Sequence, residues 1–287
     1  MKSENYVYSF DGTRIHYLFR PGKIGHTLVF LHGIGGNLTV WKKEIRHFKK
    51  KGYGILALDF RGHGNSEIPN DFNKYQFVNF CKDLFEVIKQ ENISKFSFVS
   101  HSFGTAIAAI YSNRYKSRLP SSMIFIDGST RYPYRHNKIL NLNPYVVKVL
   151  RYVAYHHSCD PKQFENIKEL DFSRGKVGRT WDIIRTILRV SPLCAIVKTL
   201  DNTENFVRKK ESYIDKAVRS FSVPVLAIGS EKDATISPNE MFKVKKLYPN
   251  AKVKILPGAT HEVIIDNPKM INSLIDRFLT EEVMKKL

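Results

Sequence analysis

The sequence has little acid for its base, few cysteines and no long apolar run. Lys and Arg number 46 against 27 Asp and Glu, a formal net charge of +19. The cations are spread along the chain, and no zinc-finger, RNA-recognition or helix-turn-helix pattern gathers them, so no nucleic-acid partner is expected. The densest run, Lys49-Lys50-Lys51, closes a helical pattern, where cations meet the negative end of the helix dipole. The excess reads first as a solvated, lysine-rich surface, with weak attraction to an anionic membrane as the alternative. No apolar stretch approaches the ~20 residues needed to cross a bilayer. Residues 1–8 carry no apolar signal core and no small-residue cleavage pattern. Cys81, Cys159 and Cys194 lack metal-ligand spacing. Their odd number and the missing secretory pattern argue for reduced, buried thiols in a cytoplasmic protein. His156 and His157 have no further ligands at metal spacing, so neither a metal nor a cofactor is expected.

What is present is a chain of 287 residues, 43% of them hydrophobic, enough for one large α/β domain with an insertion. Residues 6–10 and 14–19 flank Asp11-Gly12 as a β-hairpin. Thr27 to Leu31 is a continuous apolar run, the mark of a strand buried on both faces. It leads into His32-Gly33-Ile34-Gly35-Gly36, a loop whose backbone N–H groups face no side-chain obstruction. No Lys-Ser/Thr follows, which excludes a P-loop. Trp41 to Lys51 fits an amphipathic helix with Ile45 and Phe48 inward. Tyr53 to Leu58 is the next buried strand and runs into Asp59-Phe60-Arg61-Gly62-His63-Gly64-Asn65-Ser66, whose Asp59, Arg61 and Ser66 read as loop braces. Tyr75 to Gln90 has helical spacing of its apolar residues. Strands alternating with helices through Asp127 imply right-handed crossovers and a mostly parallel sheet flanked by helices.

The rhythm changes at about Arg131. Residues 131–220 hold several prolines, many aromatics and short helical patterns, the clearest at 145–155 and 181–190, and no buried strand run. They read as a helical insertion, with residues 1–130 and 221–287 forming the core. Strands resume at Val223 to Ile228 and Lys252 to Leu256, with helices from Pro238 to Leu247 and from Pro268 to Leu279.

The polar loops all follow strand ends, and parallel strands bring those ends to one edge. Ser102 lies in Ser100-His101-Ser102-Phe103-Gly104, where a buried strand turns at once into a small-residue helix. Its hydroxyl is a weak nucleophile until a base removes the proton. His261, after the last strand, has the proton affinity for that base. Asp233, after the penultimate strand, could hold the imidazole tautomer. Asp127 also ends a strand and is the competing acid. Asp233 is preferred because its strand directly precedes that of His261, while Asp127 runs into a turn-like Gly-Ser. His32, His63 and His101 read as braces of neighbouring loops.

With these motifs in this order, the chain resembles the α/β-hydrolase family over nearly its whole length. One departure stands out: Ser100 occupies the position where the elbow motif has glycine. The resemblance implies an α/β-hydrolase fold, with 131–220 as its variable cap. It implies Ser102 as nucleophile, His261 as base, Asp233 as acid, and the backbone N–H groups of Ile34 and Phe103 as the oxyanion hole. The expected activity is hydrolysis of a small-molecule carboxylic ester, with a hydrophobic or lipid-derived acyl group suggested by aromatics such as Tyr145, Tyr152, Tyr155 and Trp181. Thioester, C–C bond and peracid chemistry use the same residues, and a ligand-binding receptor on the same scaffold is the reading from another class.

Overall fold

In the computed structural model, the structure describes residues 5–129, 148–149, 151–152, 155–156, 192–203 and 223–283. Most of 131–220, including the helical pattern at 181–190 and both expected insertion boundaries, lies outside the described residues.

The strands are β1 (Asn5–Tyr8), β2 (Arg14–Arg20), β3 (Thr27–Leu31), β4 (Gly54–Leu58), β5 (Phe96–His101), β6 (Ser122–Ile126), β7 (Val225–Ser230) and β8 (Lys252–Leu256). They form a single eight-stranded sheet in the order β1-β2-β4-β3-β5-β6-β7-β8. β1, β2 and β4 pair antiparallel, and every pair from β4 to β8 is parallel. The predicted hairpin is β1–β2, closed by Gly12 at φ +78°. The strands read as buried, β3 and β4, are buried along their whole length, as is β6, as strands covered on both faces must be.

The covers are helices. On one face lie α2 (Phe77–Gln90), α3 (Phe103–Arg114) and α4 (Asn239–Leu247), sharing a core with Phe98, Phe125 and Tyr248. On the other lie α1 (Lys42–Lys50), the short α5 (Val263–Asp266) and α6 (Pro268–Glu282), packed on Phe30, Ile124 and Ile228. α1 departs from its predicted inward face: Glu44 is fully buried beside Phe48, while Ile45 is only half-buried. Burial pushes the Glu44 carboxyl up to about 8, so the residue sits in the core as a neutral acid.

The loop after β4 carries the buried ionic structure. Arg61, fully buried, donates to both carboxylate oxygens of Asp83 (2.7 and 2.5 Å) and to Asp11 (2.9 Å). A buried guanidinium needs such partners, because leaving it unpaired costs several kcal/mol, on the order of 3–5. Asp59 accepts from the backbone N–H of Leu38 (2.7 Å) and Asn65 (2.9 Å) and from His16 Nδ1 (2.8 Å). Ser66 Oγ donates to Asp59 O (2.7 Å). The bracing roles read from the sequence are therefore physical contacts.

Described residues within 131–220 dock on this same loop region. Residues 193–203 are helical, starting after Pro192. Lys198 Nζ donates to Asn70 O (2.7 Å), and Asn202 Nδ2 donates to Phe72 O (2.9 Å). A Cβ on Gly62 would lie 2.8 Å from that of Ala195, so glycine permits the close approach. Arg151 pairs with both oxygens of Asp201, tying residues near 151 to this helix. Cys194, on the same helix, is disulfide-bonded, which corrects the expectation of reduced thiols; the buried Cys81 is free.

Candidate active site

The site is built at the end of β5. Ser102 takes φ +51° and ψ −117°, a conformation an L-residue adopts only at a cost, and it lets the chain leave β5 and enter α3 in one residue. Close packing holds it there. A Cβ on Gly104 would sit 2.6 Å from Leu31 O and 2.8 Å from His32 O, so only glycine lets α3 start against the end of β3. A Cβ on Gly128 would sit 2.0 Å from Thr105 Oγ1. Ser100 is accommodated because its buried hydroxyl has partners, donating to Ile124 O on β6 (3.0 Å) and lying 3.4 Å from Thr105 Oγ1 on α3.

Loops from β7 and β8 meet this turn. His261 Nδ1 is 2.7 Å from Asp233 Oδ2, and its Nε2 is 3.1 Å from Ser102 Oγ. A carboxylate only accepts, so Nδ1 carries the proton and Nε2 is free to accept from the serine hydroxyl. The other oxygen of Asp233 accepts the backbone N–H of Thr235 (2.7 Å) and Ile236 (2.8 Å), which fixes the carboxylate plane. Burial works against an imidazolium at His261, but the hydrogen bond and charge of Asp233, helped by Asp127 and Glu262, raise its pKa above the ordinary histidine value.

Asp127, the competing acid, makes different bonds. It accepts from Ser230 N (2.6 Å) and Ser230 Oγ (2.7 Å). Burial and the charge of Asp233 push its carboxyl up to about 7. His101 donates from Nε2 to the backbone oxygen of His261 (2.9 Å), and its ring lies 4.8 Å from the His261 ring. Burial and the His261 charge push its pKa down to about 3, so it braces the histidine loop as a neutral ring. Its position beside Ser102 was visible in the sequence; its partner was not, since the two residues are 160 positions apart.

His32 has a fixed tautomer. Nδ1 donates to Gly33 O (2.7 Å) and Nε2 accepts from Phe60 N–H (3.1 Å). Gly33 O also accepts from Gly36 N–H (3.1 Å). In a planar trans peptide the N–H points opposite the C=O, so the Ile34 N–H is turned away from these donors. The loop lies against the Ser102 turn: a Cβ on Gly33 would be 3.1 Å from Ser102 Cβ. Phe103 opens α3, so its N–H belongs to the first helical turn and has no acceptor within the helix. His63 donates from Nδ1 to Arg61 O (3.0 Å), and burial and the neighbouring His32 push its pKa down to about 3.

Among the described residues, one cluster has potential metal-ligand spacing: His101, Asp127 and His261, with ligand atoms within 4.8 Å of one another. Its donors are already engaged, those of Asp127 by Ser230 and those of His261 by Asp233 and Ser102.

A family model described as the alpha/beta hydrolase fold matches residues 26–268. Human Protein ABHD8 is 23% identical over 89% of this chain and 55% of its own length, so the chain spans about half the length of such curated relatives. Mouse Epoxide hydrolase 4 is 25% identical over 96% of this chain and 79% of its own length. A crystal structure from work on carboxylesterases of Nitrososphaera gargenis superposes with a TM-score of 0.73 over 98% of this chain and 100% of that one, at 21% identity, a likeness of fold. The chain belongs to the α/β-hydrolase family.

Proposed function

We propose that this α/β-hydrolase is a serine esterase that cleaves carboxylic esters through an acyl-enzyme. The observation that carries this reading is the relay Ser102–His261–Asp233, with links of 3.1 and 2.7 Å from three separate strand ends. Ser102 Oγ attacks the ester carbonyl carbon as its proton passes to His261 Nε2. The carbonyl electrons move onto oxygen, facing the N–H groups of Ile34 and Phe103. Each such donor is worth about 3 kcal/mol in the transition state. Collapse expels the alkoxide, which takes the proton from Nε2. Water, deprotonated by the same nitrogen, then releases the acid. Asp233 keeps Nδ1 protonated and stabilises the imidazolium.

The elbow residue discriminates between chemistries within the family. Epoxide opening through a covalent ester intermediate needs a carboxylate nucleophile, and Ser102 is not one. Esters with apolar acyl groups are the preferred substrate class, given the aromatic content of 131–220.

The test is a panel of p-nitrophenyl esters of graded acyl length, with styrene oxide as the epoxide arm, on wild type and Ser102→Ala. Ester turnover that vanishes in the variant supports the reading. Epoxide turnover, or ester turnover unaffected by the substitution, overturns it. Fluorophosphonate labelling followed by peptide mapping is expected to place the adduct on Ser102.

A further inference from the structure

Asp127 has more built around it than a strand terminus needs. It is buried and holds φ +42°, in the left-handed region where glycine would be relaxed. Its backbone is pinned: its N–H donates to Ile228 O (2.9 Å), and Gly128 lies directly under the carbonyl of Ser102. Its side chain grips Ser230 twice, at N and Oγ. The carbonyl of Ser230 in turn accepts the N–H of Asp233 (3.2 Å). Asp127 therefore holds, through one residue, the loop that carries the histidine's acid. It also stands close to the histidine itself, with a carboxylate oxygen within 4.8 Å of a His261 ring nitrogen.

Resting on the reading of His261 as general base, we propose that Asp127 is a positioning residue with two effects. It fixes the Asp233 loop against His261, and as a second carboxylate its charge sets the basicity of His261. Among the described residues, these titratable groups face His261. Asp233 comes from the β7 loop, Asp127 from β6 and Glu262 from the histidine's own loop. His101, kept neutral at the end of β5, also faces it, and the neutral His32 lies beyond His101. Glu262 is half-exposed, so Asp233 and Asp127 are the buried charges in the set. The position of Asp127 between Asp233 and His261 pulls its own proton affinity both ways, and burial together with Asp233 leaves it titrating near neutrality. Above that range the charge of Asp127 therefore acts on His261 alongside that of Asp233.

The test is Asp127→Asn, which keeps an acceptor for Ser230 N–H and removes the charge. His261 is followed by NMR in ¹⁵N-histidine-labelled protein, which needs no turnover, and kcat/KM is followed against pH with an activated ester. The expected result is a His261 titration moved down by about half to one unit, because a neighbouring anion favours the imidazolium. The acid limb of kcat/KM should move the same way. Ser230→Ala removes one of the donors that stabilise ionised Asp127 and is expected to move His261 in the same direction near neutral pH only; it carries the test if Asp127→Asn does not fold. A His261 titration unmoved in a folded variant overturns the proposal, as does a fall in kcat with an unmoved acid limb, the signature of a purely structural role. Should wild type turn over no ester, the hydrolase reading fails, and the NMR titration still decides Asp127.

Discussion

β5 carries a hydrogen-bonded serine–histidine pair at each end. At its start, Ser97 Oγ lies 2.9 Å from His26 Nε2; just past its end, Ser102 Oγ lies 3.1 Å from His261 Nε2. By distance alone the first pair looks the better one. The difference lies in what surrounds them. His261 has a carboxylate on its other nitrogen, while Nδ1 of His26 is buried with no partner. Ser97 Oγ also bonds Ser122 Oγ (2.8 Å) within a regular strand, and Ser102 stands at a strained turn. Burial and the Lys95 charge push His26 down to about 4, whereas the carboxylates raise His261. Both His26 and Ser97 are sealed from solvent, and His261 is partly open to it. A serine–histidine contact is thus a closed structural bond at one edge of the sheet, and at the other the pair proposed to react. The third group, the access and the backbone strain decide which.

The largest effect that would sharpen this contrast is on turnover. Ser102→Ala is expected to lower kcat/KM by about 10⁴-fold or more, while Ser97→Ala leaves it within about twofold. Comparable losses from both, measured on one ester, would erase the distinction. Next is the carboxylate. Asp233→Asn, which leaves the imidazole in the wrong tautomer, is expected to cost about 10²–10⁴ in kcat. Loss confined to KM would show that Asp233 does not serve His261.

The two histidines should also respond to pH with opposite sign. His261 has a raised pKa in the fold, so its contribution to stability is full below the unfolded value of ~6.5 and lost as pH rises through the folded value. For catalysis the same shift puts the acid limb of kcat/KM above pH 6.5, since only the neutral ring accepts a proton. His26 is lowered, so it favours the fold above ~6.5, and that contribution is lost as pH falls toward about 4. Its full size is up to ~3 kcal/mol. His26→Gln is therefore expected to flatten the drop in thermal midpoint between pH 6.5 and 4; an unchanged slope would remove His26 from the account. The smallest effect is the stability cost of Ser97→Ala, about 1 kcal/mol from the lost buried hydrogen bonds, read by urea denaturation.

Much of this was legible along the chain because it is local. Thr27–Leu31 and Tyr53–Leu58 announce buried strands by composition, and the residues around Ser102 announce a strand-turn-helix by small size. Glu44 was not legible: the helical period places residue 44 beside Phe48 on the inward face, but an acid there contradicts the pattern that locates the face. The choice between Asp233 and Asp127 was open for a related reason. Both follow parallel strands, and chain order prefers one without excluding the other. The bonds separate them, His261 binding one and Ser230 the other. Cys81 is free and buried as expected, while Cys194 was misread because a cysteine count says nothing about which sulfurs approach each other.

By itself the sequence determined the strand order of the chemistry, the fold class and the residue types at each strand end. These follow from short-range patterns, namely apolar period, glycine at turns and polar residues after strands. Only the tertiary structure decided which of several histidines meets Ser102, which of two aspartates that histidine bonds, and how differently Ser97 and Ser102 are surrounded. Those outcomes depend on burial, on hydrogen-bond partners more than a hundred residues apart, and on the field of neighbouring charges. None of them exists until the loops are brought to one edge of the sheet.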